Sequence, residues 1–341
     1  MHSSITEYHN GPSNYVCAGC DCLGIFFSKF FKNWPDYINE KQATDFFHNN
    51  VDRFLFSFGT GLSYKSRKIP INHAGKIKQQ VKKIRSYSYL NDSSLYIDSG
   101  GFQVAMGAIN MEDMPTFINL YDEFLHENNN LFNYAFVLDL PPSESVFNSY
   151  SELERMNRLS YQRFADFEQA LKDKMIFIYQ FRSPALYEIW NKFIWDEDLT
   201  NGFTNFSCGG LVANSASDQN VPFIVYSIPI ADMVAYAKSK KLTKFNFHVL
   251  GGANYLDVFY HKLFTKHIKE VHDIDITITY DSSAVFSALA VARFLPCFDL
   301  DDNLSRVDIR SSVLHRKFQR ELTVADQLYR MMNDVASHYG F

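Results

Sequence analysis

Leu95-Tyr96-Ile97-Asp98-Ser99-Gly100-Gly101-Phe102-Gln103 is the stretch on which the fold turns. A short run of β-branched and aromatic residues fits a buried strand, and it ends on an acid. Two glycines follow, which let backbone turn sharply or approach a flat ligand closely. The phenylalanine then offers a ring, and the glutamine both a donor and an acceptor. Taken alone, the same residues also describe a tight turn in which the aspartate caps a helix.

The same grammar recurs on both sides. Arg53 to Phe58 runs into Gly59-Thr60-Gly61, Tyr134 to Leu138 into Asp139, and Met175 to Tyr179 into Gln180. Thr204 to Ser207 meets Cys208-Gly209-Gly210, Phe245 to Leu250 meets Gly251-Gly252, and Ile274 to Tyr280 meets Asp281. With Leu95 to Ile97, seven candidate strands follow one another at intervals of roughly 30 to 40 residues, the size of a βα repeat. Between them, Met114 to His126 carries Phe117, Leu120, Tyr121, Phe124 and Leu125 at helical spacing, and Glu152 to Leu171 is patterned likewise. Alternating strands and helices predict a parallel sheet covered by helices. The count predicts an α/β (β/α)8 TIM barrel over 51–298, its eighth strand not placed; an open doubly wound sheet is the alternative. Residues 1–50 are expected to pack on the barrel as an extension, and 299–341 to form a helical one with an amphipathic helix near Val324 to Val335. In a barrel the working residues sit where strands end, which would gather Asp98, Asp139, Asp281, Gln180 and the glycine corners.

Composition narrows the class. Of 341 residues 46% are hydrophobic, with 32 Phe and 20 Tyr, as in a globular protein with well-filled cores. No apolar run is long enough for a membrane span, and Met1 to Pro12 has no signal pattern, so a cytoplasmic protein is expected. Five cysteines, three of them at Cys17, Cys20 and Cys22, do not resemble a secreted disulfide framework. At that spacing they are a candidate zinc site lacking an evident fourth ligand, or three reduced thiols. A net charge of −5 gives no global pull on a polyanion. Local basic stretches would have to supply it: Lys65, Arg67 and Lys68; Lys76 to Arg85 on a helix; and Arg306 to Arg320. Each also reads as a solvated surface.

Asp98-Ser99-Gly100-Gly101-Phe102-Gln103 resembles the signature of the tRNA-guanine transglycosylase superfamily. Val137-Leu138-Asp139, Ile178-Tyr179-Gln180, Cys208-Gly209-Gly210-Leu211, His248-Val249-Leu250-Gly251-Gly252 and Tyr280-Asp281-Ser282 resemble further motifs of that family in its order. The resemblance implies a nucleophilic Asp281 and a general acid/base Asp98. It implies that Asp139 accepts from guanine N1–H and the 2-amino group, that Gln180 donates to O6, and that backbone N–H near Gly210 or Leu211 completes the reading. Ser99, Gly100, Gln103 and Gly209 would belong to the same base pocket, Phe102 would stack, and Gly251 would leave room for the base edge. Retention at a sugar C1′ by two displacements through a carboxylate ester suits such a pair of acids.

The family's zinc run after the nucleophile is reduced here to Cys297, with His315 farther on. The chain is similar in this respect to the phage and bacterial 7-deazaguanine DNA transglycosylases, which implies DNA and a 7-deazapurine base as partners, and the cytoplasm of a host if phage-encoded. A tRNA enzyme, a non-catalytic nucleic-acid-binding homologue and a barrel glycoside hydrolase remain alternatives, as do a homodimer or an accessory protein. No cofactor is required for the chemistry. His248 is expected to be a satisfied barrel histidine rather than a catalyst.

Overall fold

A computed structural model of the chain describes residues 15–18, 52–87, 92–141, 149–180, 184–210, 222–251, 255–282, 294–298 and 304–308. The strands are β1 (Tyr15–Ala18), β2 (Arg53–Ser57), β3 (Ser94–Asp98), β4 (Tyr134–Phe136), β5 (Met175–Gln180), β6 (Asn205–Gly209), β7 (Lys244–Val249) and β8 (Asp275–Ser282). The intervening helices are α1 (His73–Arg85), α2 (Gly101–Ala105), α3 (Met114–Glu127), α4 (Tyr150–Ala165), α5 (Gln169–Lys172), α6 (Pro184–Asp196), α7 (Pro222–Ser239) and α8 (Tyr255–His272). β2 to β8 pair in sequence order, all in parallel, as one curled sheet with helices between successive strands, compatible with a TIM-like barrel.

Side chains alternate between two apolar clusters, as a strand's two-residue period requires. Val16, Ala18, Leu55, Tyr96, Phe136, Ile176 and Ile178 form one cluster on the concave side. Their neighbours Phe54, Phe56, Ile97, Phe177, Tyr179, Phe206 and Phe247 join the larger cluster beneath the helices. Every residue of β5 and β6 is buried, which is why these runs read as unbroken stretches rather than an alternation.

Two expectations are corrected. Residues 1–50 do not all stand outside the sheet, because β1 pairs in parallel with β2 (Cys17 with Phe54) and with β8 (Val16 with Asp281). Four residues are too few to show periodicity, and only their tertiary partners make them a strand. The helical character expected from Asp299 onward fails at β10 (Leu304–Asp308), which pairs antiparallel with β9 (Phe294–Phe298) and so spans the expected boundary at 298. The amphipathic helix near Val324 lies outside the described residues.

The long helix expected over Glu152 to Leu171 is two. α4 begins with Ser149, whose hydroxyl accepts from the Glu152 N–H at 3.3 Å, and its carboxyl end is at Asp166. α5 starts three residues later.

Candidate active site

β3 delivers Asp98 to the end of the sheet, and the glycines after it decide what lies beside it. Gly100 has φ 82°, and a Cβ there would stand 2.6 Å from the Gly59 backbone. A Cβ on Gly101 would be 1.7 Å from the Asp139 carbonyl oxygen. The glycine pair therefore lets the β3 turn touch the exits of β2 and β4 at once. The turn continues directly into α2. Ser99 is fully buried, and its hydroxyl accepts from Gly101 N–H at 3.2 Å, so its side chain serves the turn rather than an open pocket.

Ser57, directly opposite Asp98 in the β2–β3 register, donates its hydroxyl to Asp98 Oδ2 at 2.6 Å. Gly100 N–H adds a longer bond to the same oxygen at 3.3 Å. Burial pushes the Asp98 carboxyl above the usual carboxylate range; the Ser57 hydroxyl opposes this, and the nearby Asp281 charge adds to it. A carboxyl held up in this way is suited to carrying a proton.

Asp139 follows β4 and is anchored from α4 on both sides. Leu138 O accepts from Ser160 Oγ at 2.5 Å, while Asn157 accepts from Leu140 N–H at 2.8 Å and donates to Leu140 O at 3.1 Å. The Gln180 side chain, from the end of β5, donates to Asp139 Oδ2. Both residues are buried, and burial pushes the Asp139 carboxyl up to about 7 against the opposing Gln180 bond. Gln180 Oε1 and Gln103 Oε1 are buried acceptors with no donor among the described residues. Gly209 closes the far side: a Cβ there would press on Gln180 Nε2 at 2.8 Å. Buried polar atoms of this kind are costly unless something satisfies them.

Asp281 lies on β8. Its Oδ1 accepts from Gly251 N–H at 2.9 Å and is 3.2 Å from His248 Nε2, while His248 Nδ1 is 2.9 Å from Thr279 Oγ1. Gly251 has φ 77°, the left-handed backbone that turns its N–H onto the carboxylate. His248 is buried, with its ring edge-on to Phe136 at 5.0 Å. With Oδ1 so engaged, Oδ2 has no hydrogen bond among the described residues.

The sheet thus brings Asp98, Gln103, Asp139, Gln180, Gly209 and Asp281 to one end. Gly210, with φ 83°, follows Gly209 there. Phe102 is 50% exposed at the rim. Lys65, Arg67 and Lys68 are exposed on the loop leaving β2. Leu211, Gly252, Cys20 and Cys22 lie outside the described residues, as does the side chain of Cys17; no group of three metal-ligating side chains occurs among the described residues. Sequence reading missed Ser57 and Thr279, and it set His248 aside as a satisfied barrel histidine without seeing its contact to Asp281. The two-residue period carries the signal for His248 and Thr279, since His248 pairs with Thr279 and the alternation from Thr279 leads to Asp281 on the same face.

No helix among the described residues is long and apolar enough to cross a membrane. No protein-family model matches the chain, and no curated protein matches it.

Proposed function

We propose that this chain is a (β/α)8-barrel transglycosylase that exchanges guanine in DNA for a 7-deazaguanine base such as 7-cyano-7-deazaguanine. The observation that carries the reading is the division of labour at the sheet's end. One carboxylate is held by donors on a single oxygen, a second carboxyl is biased towards its protonated form, and a buried acid–amide pair stands beside them.

In this reading Asp281 Oδ2 attacks the sugar C1′ as the C1′–N9 bond to guanine breaks, and Asp98 passes its proton to the departing base. The incoming 7-deazapurine then gives its N9 proton to Asp98. Its N9 attacks C1′ and Asp281 leaves as a carboxylate. Two displacements preserve the anomeric configuration. His248 and Gly251 hold Oδ1 throughout, so the carboxylate neither rotates away from C1′ nor leaves without stabilisation. Ser57 fixes the direction of Asp98. Asp139 reads N1–H and the 2-amino group, and the Gln180 amide reads O6 after releasing Asp139. A glycosidase would share two carboxyls but has no use for this second buried pair.

The choice of DNA rests on the resemblance to the DNA branch, and protection from restriction is the consequence expected of such a modification. The test is incubation with radiolabelled 7-cyano-7-deazaguanine and either DNA or unmodified tRNA. Label entering DNA, and lost in Asp281→Asn, is expected. Label entering tRNA alone would keep the chemistry and replace the polymer, whereas label in neither would overturn the reading.

A further inference from the structure

The loop 59–72 between β2 and α1 leaves the sheet at the end that carries Asp98 and is tied to the catalytic turn by the Gly59–Gly100 contact. It is a well-pinned loop. Leu62 N–H donates to Gly59 O at 3.1 Å, Arg67 N–H to Ser63 O at 2.9 Å, and Asn110 N–H, from beyond α2, to Arg67 O at 3.2 Å. Leu62 and Ile69 pack against the main core. Arg67 and Asn72 adopt left-handed backbone at φ 49° and 54°. Yet Ile71 is 90% exposed and Tyr64 55%, with Phe102 and Met106 of neighbouring α2 also open to solvent.

Charge identifies what meets them. Residues 53–91 contain nine lysines and arginines and no aspartate or glutamate, in a chain whose net charge is −5. Of these, Arg53 pairs with Asp52, Lys78 with Glu127, and Arg85 is bonded to Leu131 O, Ser93 O and Asn133. Lys65, Arg67 and Lys68 are exposed and have no acidic partner among the described residues. Exposed apolar side chains interleaved with free cations suit a polymer of phosphates and stackable bases.

Resting on the transglycosylase reading, we infer that loop 59–72 is the grip on duplex DNA: Lys65, Arg67 and Lys68 meet phosphates, while Tyr64 and Ile71 wedge against the bases beside the extruded guanosine. The wedge fills the stack that base extrusion opens, lowering the cost of bringing the nucleotide to Asp98 and Asp281.

The test uses Asp281→Asn as a non-turnover background, with anisotropy of labelled duplex DNA across a salt series and 2-aminopurine fluorescence beside the target guanine. Adding Lys65→Ala, Arg67→Ala and Lys68→Ala together should make the slope of log affinity against log salt shallower by about three. Adding Tyr64→Ala and Ile71→Ala should leave that slope unchanged, weaken binding about tenfold and abolish the fluorescence rise, with Ile71→Leu restoring much of it. Unchanged affinity and slope in both sets would overturn the inference. So would tighter binding of tRNA through the same residues, or a change of mass in solution with DNA affinity intact, which would give the surface to a second copy of the chain. These readouts need no turnover, so a wild-type chain that fails to exchange bases would strike the reaction and leave the grip to be judged on its own numbers.

Discussion

Asp139 is the residue whose ionisation bears most on the proposed base exchange. Guanine offers it two donors, which only the carboxylate accepts well, yet burial holds the free carboxyl at about 7. In the proposed reaction, base capture at lower pH would therefore have to expel a proton. The KM for the incoming base should rise about tenfold per unit as pH falls below 7, and level off above it, in a profile that Asp139→Asn flattens. Stability runs the other way. The folded state binds a proton there between the ordinary carboxylate range and about 7, so stability conferred by this group is full at acid pH and is lost as pH rises through about 7. Urea midpoints at pH 5 and pH 8 should differ less in Asp139→Asn than in the parent. His248 makes a second residue-scale claim. His248→Phe keeps an aromatic shape while removing the contact to Asp281 Oδ1. A fall of ten- to a hundredfold in kcat with little change in KM for the base is expected, the effect of losing one aimed donor. Equal loss in both parameters would mean that the pocket itself had collapsed.

At the scale of elements, the β3 turn is the part whose sequence and geometry agree most closely. Asp98 to Gln103 could be read as a strand end with a turn able to approach something closely, and what it approaches is the backbone of Gly59 and Asp139. Gly101→Ala would force its methyl onto the Asp139 carbonyl, so a loss of roughly 2–4 kcal/mol in stability is expected, together with loss of base exchange. Circular dichroism melts and the labelled-base assay check both. The seven strands β2 to β8 were legible because each lies in an apolar run ending on a polar or glycine corner. β1 was not, since Tyr-Val-Cys-Ala acquires its meaning only between β2 and β8. β10 was not either, because its polar residues are ordered by pairing with β9. Ser57 was hidden for a related reason: a serine at a strand end carries no message until register sets it opposite Asp98. The anchoring of Asp139 by Asn157 and Ser160 depends on helix packing that no local pattern encodes.

At the scale of the molecule, the curled sheet collects what the chain spreads over more than two hundred residues, from Ser57 to Asp281. β1 takes part in this closure, with Val16 fully buried beside Asp281 in the register. Val16→Asp would place an uncompensated charge there and should cost at least about 3 kcal/mol, seen as a lower urea midpoint. The apolar lining of the concave side then supplies the low-dielectric floor over which burial raises the Asp98 and Asp139 carboxyls. The central claim is that Asp281 becomes esterified to the sugar while Asp98 manages the proton. Mass spectrometry of the wild-type chain, denatured after mixing with guanine-containing DNA in the absence of an incoming base, tests it directly. A protein–DNA adduct is expected whose proteolytic fragment maps to Asp281, and which disappears when 7-cyano-7-deazaguanine is added before denaturation. An adduct on another residue, or base exchange proceeding undiminished in Asp281→Asn, would contradict it.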